Sequence, residues 1–195
     1  MDLSDYLTFR ATGDPKYRSI CTTTCKWNLI DGKWDDSFWS AIGLEDLATD
    51  KYKRIGAECD ISPVGSCIGT VCTEFGEAVG LPSDGSVSVA AGMIDAHAGA
   101  LAMICSPPSQ DIQSSTITDF ARRRISLLCG TSACFMAVSS SQQFISGIWG
   151  PYSSALLPNF YLHEGGQSAC GALLDHMIAL HPAGAVLQEK AKEKL

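Results

Sequence analysis

The chain is short of positive charge: 14 Lys and Arg stand against 21 Asp and Glu, a formal net charge of −7. That balance argues against nucleic acid or an anionic membrane surface as the main partner. The one basic cluster, Arg122-Arg123-Arg124, adjoins a polar segment and reads as a solvated loop end. Long apolar runs are missing too. The longest, around Val87 to Cys105, is interrupted by Asp95 and His97, which excludes it as a membrane span. The opening, Met1-Asp2-Leu3-Ser4-Asp5, has neither a basic nor an apolar region, so no secretory signal is expected. Without one, the nine cysteines are expected as reduced thiols in a cytoplasmic protein. Their spacings (Cys21/Cys25, Cys67/Cys72, Cys129/Cys134) make no paired C-x-x-C ligand set. His97, His163, His176 and His181 show no zincin spacing. No metal site is therefore expected, and buried small hydrophobes are the better reading of the cysteines. No internal repeat is visible.

What is present suits a globular chain: 46% hydrophobic and 18% charged residues over 195 positions, enough for one domain or parts of two. A helix is expected over Asp2 to Ala11, with Leu3, Tyr6, Leu7 and Arg10 on one face and Gly13-Asp14-Pro15 ending it. A second runs from Ser19 to Leu29, Asp31-Gly32-Lys33 turns, and Asp35-Asp36-Ser37 opens a third through Phe38, Trp39 and Ile42. Leu44 to Leu47 begins a short helical piece. Pro63 to Gly69 reads as irregular, and Thr73 to Val79 as a brief helix closed by Gly80. Ser86 to Ala91 reads as a strand, followed by Asp95 and an alanine-rich helix over Ala96 to Ile104. From Ser106 to Asp119 the composition turns to Ser, Pro, Gln, Thr and Asp, which reads as a linker or variable loop. Ile125 to Leu128 and Phe135 to Val138 form a hairpin around Gly130-Thr131-Ser132. Ile145 to Tyr152 is aromatic and turn-rich. Glu164-Gly165-Gly166-Gln167-Ser168 introduces a helix through Leu173 to Met177.

Each candidate site has a structural alternative. Asp95 at a helix start could cap free N–H groups, and on local sequence alone the cap is favoured. Gly130-Thr131-Ser132 could present N–H groups and hydroxyls to phosphate, or be an ordinary turn. Gly165 and Gly166, with Ser168 as cap, could bring nucleotide phosphate to a helix N-terminus, or simply form a loop. His97 is either a partner for a substrate hydroxyl or a buried, satisfied histidine. Lys26 and Trp27 read as a structural lysine and a core tryptophan. Cys129 and Cys134 flank the turn without a His partner that would make either a nucleophile.

Several segments together resemble the FGGY carbohydrate kinases. Asp5-Tyr6-Leu7-Thr8, Cys25-Lys26-Trp27 and Trp34 to Trp39 resemble the back half of that family's N-terminal domain. Ile94-Asp95-Ala96-His97-Ala98-Gly99 is similar to its catalytic segment and Cys129-Gly130-Thr131-Ser132 to its second phosphate loop. Gly147 to Tyr152 and Glu164 to Ser168 resemble the D-ribulokinase-like branch. The resemblance implies an α/β, actin-like ATPase (ribonuclease H-like) fold of two lobes, partial in both. Residues 1–118 would be the C-terminal portion of the sugar-binding lobe, and 119–195 the N-terminal portion of the nucleotide-binding lobe. It implies ATP-dependent phosphorylation of a sugar or polyol hydroxyl, a pentulose such as D-ribulose being preferred. Asp95 would be the base, and Asp95, Ala96 and His97 the substrate contacts. Gly130, Thr131, Ser132, Gly165 and Gly166 would be phosphate or nucleotide contacts, with ATP and Mg2+ as cofactors of the complete kinase. No counterpart of the family's first, Mg2+-positioning phosphate loop or of its C-terminal adenosine segment is seen. The chain is thus expected to be part of a longer kinase, and a non-catalytic binding fragment is the alternative. A homodimer is the assembly carried forward.

Overall fold

The computed structural model describes residues 1–106 and 116–193. Asp2 caps α1 (Leu3–Thr12), accepting from the Ser4 N–H at 3.4 Å, and Gly13 closes it at φ 75° with its N–H on the Phe9 carbonyl. The face carrying Leu3, Tyr6 and Leu7 stays exposed, and the buried residues are Asp5 and Ala11. Asp5 is buried because it is satisfied: it accepts the Ser19 N–H at 2.9 Å and the Thr22 hydroxyl at 2.7 Å. Ser19 ends β1 (Tyr17–Ser19) and caps α2 (Ile20–Trp27), its Oγ accepting the Cys21 N–H at 3.2 Å. The Thr22 and Thr23 hydroxyls both return to the Ser19 carbonyl at 2.9 Å, so this hydroxyl-rich helix buries no unpaired oxygen there.

Asp35 caps α3 (Asp36–Ala41), and α4 (Asp46–Thr49) and a 3-10 turn at Lys53–Ile55 follow. Trp39, Leu47 and Ile55 bury together, with Trp27 and Trp34 packed against them. β2 (Asp60–Ser62) runs parallel to β1. β3 (Cys67–Thr70) and β4 (Ser88–Ala90) pair antiparallel on either side of α5 (Thr73–Val79) in sequence. Pro63 to Gly69 is therefore not wholly irregular, because the distant β4 supplies a ladder that the local composition does not announce.

α6 (Asp95–Cys105) is followed by α7 (Ile117–Ala121), whose N-terminus is a capping box between Thr116 and Asp119. Of the expected linker, residues 107–115 lie outside the described residues and its last part is this helix start. The basic cluster also differs from the expectation. Arg124 is half-buried and donates to the Ile104 carbonyl at 3.2 Å and to the Ser106 carbonyl, closing the C-terminus of α6. Arg122 and Arg123 are exposed as expected.

β5 (Ser126–Cys129), β6 (Ala133–Ser139), β7 (Trp149–Ser153) and β8 (Tyr161–Gln167) form an antiparallel sheet in the order β5-β6-β8-β7. The hairpin around Gly130–Ser132 is present. Met136 and Val138 alternate inward from β6 and meet Leu162, Ala100 and Ile104 of α6, and Ala121 of α7 in the larger core. That core takes side chains from both sides of the expected boundary at 118/119. Gly99 sets the approach of α6 to the sheet, because a Cβ there would lie 2.5 Å from Leu128 Cδ2.

One expectation fails in this sheet. Gly165 and Gly166 are not a loop before a helix; they sit inside β8, opposite Phe135 and Cys134. Ile145 to Tyr152 turns at Ile145–Ile148, as expected, and then supplies most of β7. The helix expected to follow, α8 (Gly171–Leu180), has Cys170 rather than Ser168 at its N-cap position, and α9 (Gly184–Lys192) comes last. α8 buries none of its residues, and Leu174, Met177 and Leu180 stay exposed. Among the described residues no helix is long and apolar enough to cross a membrane.

Candidate functional site

β4 ends beside α1 and α2, where the Ser19 hydroxyl donates to the Gly92 carbonyl at 2.5 Å. This bond fixes the segment that turns into α6. Ile94, in extended conformation at φ −63° and ψ 142°, takes the N-cap position and offers no side-chain bond. Asp95 is the first helical residue rather than the cap, so the capping alternative is corrected. Its Oδ1 accepts the adjacent Ala96 N–H at 2.8 Å. Its other oxygen has no protein donor among the described residues, and the side chain is exposed.

Across from it, the Gly130 N–H closes on the Ser132 carbonyl at 2.8 Å, which curls the hairpin tip, and the Thr131 carbonyl receives the Cys170 N–H at 2.9 Å. Thr131 and Ser132 are exposed. The Ser132 hydroxyl meets only the Cys134 sulfur, at 3.9 Å. Asp95, Ala96, Gly130, Thr131 and Ser132 together line a hollow of about 500 Å³. A second hollow of about 450 Å³ shares Asp95, Ala96, Ser132 and Cys134 with it and adds Lys26, Trp149 and Glu164. Asp95 thus stands on the wall common to both. The shared cleft expected for Asp95 and the Thr131 turn is present.

The remaining sequence candidates divide. His97 is 2% exposed, with Nδ1 3.1 Å from Cys21 Sγ and Nε2 3.8 Å from Glu164 Oε2. It lies buried at the floor of the second hollow, its Nδ1 hydrogen-bonded to Cys21. Burial disfavours its charge, but the hydrogen bond to Cys21 and the nearby Glu164 carboxylate outweigh this and raise its pKa to about 9. Glu164 is held below the usual carboxylate range, chiefly by the facing His97 ring. Cys21 is pulled down to about 5, first by the neighbouring Cys25, then, against burial, by its hydrogen bond with His97. Cys25 is pushed up by the neighbouring Cys21 and by burial. Gly165 and Gly166 line neither hollow. A Cβ on Gly166 would lie 3.2 Å from the Trp149 ring and 3.3 Å from the Ala133 carbonyl. These glycines therefore let the indole and the neighbouring strand come close, and the nucleotide role read from a helix N-terminus has no helix there.

Lys26, read as structural, is an exposed cation beside Asp95 in the cleft. Trp149 is 58% exposed and offers its indole to the same space. Trp27 packs against the Trp39 core as expected. For Trp149 the only sequence signal was its place between glycines. For Lys26 it was the neighbouring Cys-Lys-Trp motif.

The exposed hydroxyl-bearing tip of Gly130–Ser132 suits the phosphate chain of ATP. For Mg2+ the residues do not fit: among the described residues no group of carboxylates converges at the cleft, and the one metal-type cluster is Cys21, Cys25 and His97.

Comparison with known proteins places the chain among sugar kinases. Residues 125–195 match the model of the FGGY family of carbohydrate kinases, C-terminal domain. A Xenopus laevis protein named FGGY carbohydrate kinase domain-containing protein is 44% identical over 201 residues, covering 99% of this chain and 34% of that protein. A D-ribulokinase of Saccharomyces cerevisiae is 33% identical over 208 residues, covering 97% of this chain and 29% of its own length. The crystal structure of a xylulose kinase from Rhodospirillum rubrum superposes with a TM-score of 0.60 at 18% identity, over 98% of this chain and 35% of that one. The fold is that of the actin-like sugar kinases, and the chain spans about a third of the length of the curated relatives it matches.

Proposed function

Since the chain belongs to the FGGY family of carbohydrate kinases, we propose that it serves ATP-dependent phosphorylation of a sugar or polyol hydroxyl, with a pentulose such as D-ribulose as substrate. The observation that carries this reading is the shared cleft, in which the free oxygen of Asp95 and the Gly130–Ser132 tip border the same space. Phosphoryl transfer asks the protein mainly for alignment, proton removal and charge stabilisation. Asp95 accepts the proton of the attacking hydroxyl, a contribution of about 10²- to 10⁴-fold for a positioned base. Thr131 and Ser132 hold the phosphate chain through backbone N–H groups and hydroxyls. Lys26 supplies a positive charge beside Asp95, and the Trp149 indole packs against the carbon face of the sugar. His97 acts from beneath by fixing Glu164 rather than by touching the sugar.

A second reading is sugar binding without transfer. The two readings separate in one experiment. ADP formation is followed with D-ribulose, L-ribulose and ribitol, alongside calorimetric titration of each. Phosphorylation with D-ribulose preferred is the expected result. Binding of D-ribulose with no ADP above the sugar-free background would select the second reading, and no binding of any of the three would overturn both.

A further inference from the structure

Cys21 and Cys25 are used by nothing in the phosphoryl-transfer reading, and His97 enters it only through Glu164. Cys21 and Cys25 lie one helical turn apart on α2, on the same face. His97 reaches them from α6. Their Sγ, Sγ and Nδ1 atoms all lie within 4.8 Å of one another. Cys21 is fully buried and His97 nearly so, while Cys25 is half-buried.

We propose that Cys21, Cys25 and His97 bind one Zn2+ ion that fastens α2 to α6 beneath the cleft. Three features beyond the cluster support this. The second ring nitrogen of His97 faces the Glu164 carboxylate at 3.8 Å. A carboxylate behind a metal-binding histidine orients the ring and raises its donor strength. The Ile94 N–H points at Cys21 Sγ at 3.5 Å, a donor that a charged sulfur ligand accepts. Finally, Cys25 and His97 border the hollow of about 450 Å³, which leaves a fourth coordination position open to water, as in zinc sites with three protein ligands. Two thiolates and an imidazole favour Zn2+ over Mg2+ or Ca2+, which prefer oxygen. Binding requires both sulfurs as thiolates and the ring nitrogen facing the metal unprotonated, so uptake is accompanied by proton release to solvent.

The sequence argued against such a site because the cysteine spacing matches no paired ligand set. The spacing rule fails here because two ligands come from one helical face and the third from a helix far along the chain. The site does not depend on the kinase reading and stands or falls separately from it.

The test uses the reduced protein, with Co2+ as a spectroscopic probe and Zn2+ for stoichiometry. Expected are about one Zn2+ retained per chain after dialysis and a thiolate-to-cobalt charge-transfer band that Zn2+ displaces. Cys25→Ser and His97→Asn should lose the band, while Cys129→Ser should keep it. Should either loss variant fail to fold, as judged by circular dichroism, alkylation of the wild-type protein decides. Bound Zn2+ should then protect the half-buried Cys25 from iodoacetamide, as read by peptide mass spectrometry. Absence of the band and of retained Zn2+ overturns the proposal. So does a band that survives Cys25→Ser but is lost in Cys129→Ser, or equal alkylation with and without Zn2+.

Discussion

Asp5 on α1 accepts the backbone N–H of Ser19 at 2.9 Å, which ties the first helix to the residue that holds the segment before Asp95. Ser19 caps α2 and its hydroxyl holds the Gly92 carbonyl, immediately before the turn into α6. Asp5→Ala would leave the Ser19 N–H and the Thr22 hydroxyl with one partner fewer inside a buried site. A loss of about 1–3 kcal/mol is expected for leaving a buried donor unsatisfied, read from urea unfolding. A change near zero would show that this connection does not support the fold.

The contact between Gly99 and Leu128 gives a second prediction. Gly99→Ala places a methyl against Leu128 Cδ2 and should destabilise by about 1–3 kcal/mol through overpacking. Leu128→Ala in the same chain should recover part of that loss, because it vacates the volume the methyl needs. Strict additivity of the two changes in unfolding experiments would contradict the packing account.

The start of α7 should respond to acid. Asp119 is held below the usual carboxylate range, first by the Thr116 hydroxyl and then by the Thr116 N–H. A depressed folded pKa contributes stability above the unfolded value of about 3.9 and loses it as pH falls through the lower folded value. By carboxyl NMR, Asp119 should titrate below 3.9 in the native protein, and Thr116→Val should move it upward. An unchanged titration in that variant would remove the capping box as the cause.

How much of this was legible from sequence depended on how local the cause was. Thr73–Val79 with its closing Gly80, and the helix capped by Ser19, follow from residues a few positions apart, so the sequence announces them. Gly165-Gly166 misled because paired glycines usually signal a loop, whereas here the missing side chains make room for Trp149. Arg124 read as a surface charge because its acceptors, the carbonyls ending α6, lie across the linker. The Cys21–Cys25–His97 cluster was invisible for the same reason. Asp95 was found, but only through the resemblance of its surrounding motif; its local setting favoured a cap that Ile94 in fact occupies.

Trp149 tests the sugar side of the cleft. Trp149→Ala should raise the KM for D-ribulose about five- to tenfold, a loss of about 1 kcal/mol of apolar contact, with kcat within about twofold. An unchanged KM would remove the indole from the substrate surface. A fall in kcat alone would assign it instead to the reacting geometry.

The central claim is that Asp95 takes the proton of the attacking hydroxyl, and kcat of Asp95→Asn with D-ribulose and ATP tests it most directly. The amide keeps the size of the carboxylate but cannot act as its base. The account predicts a fall in kcat of about 10²-fold or more, with calorimetric affinity for D-ribulose within a few-fold of the wild type. Turnover at the wild-type rate would contradict it.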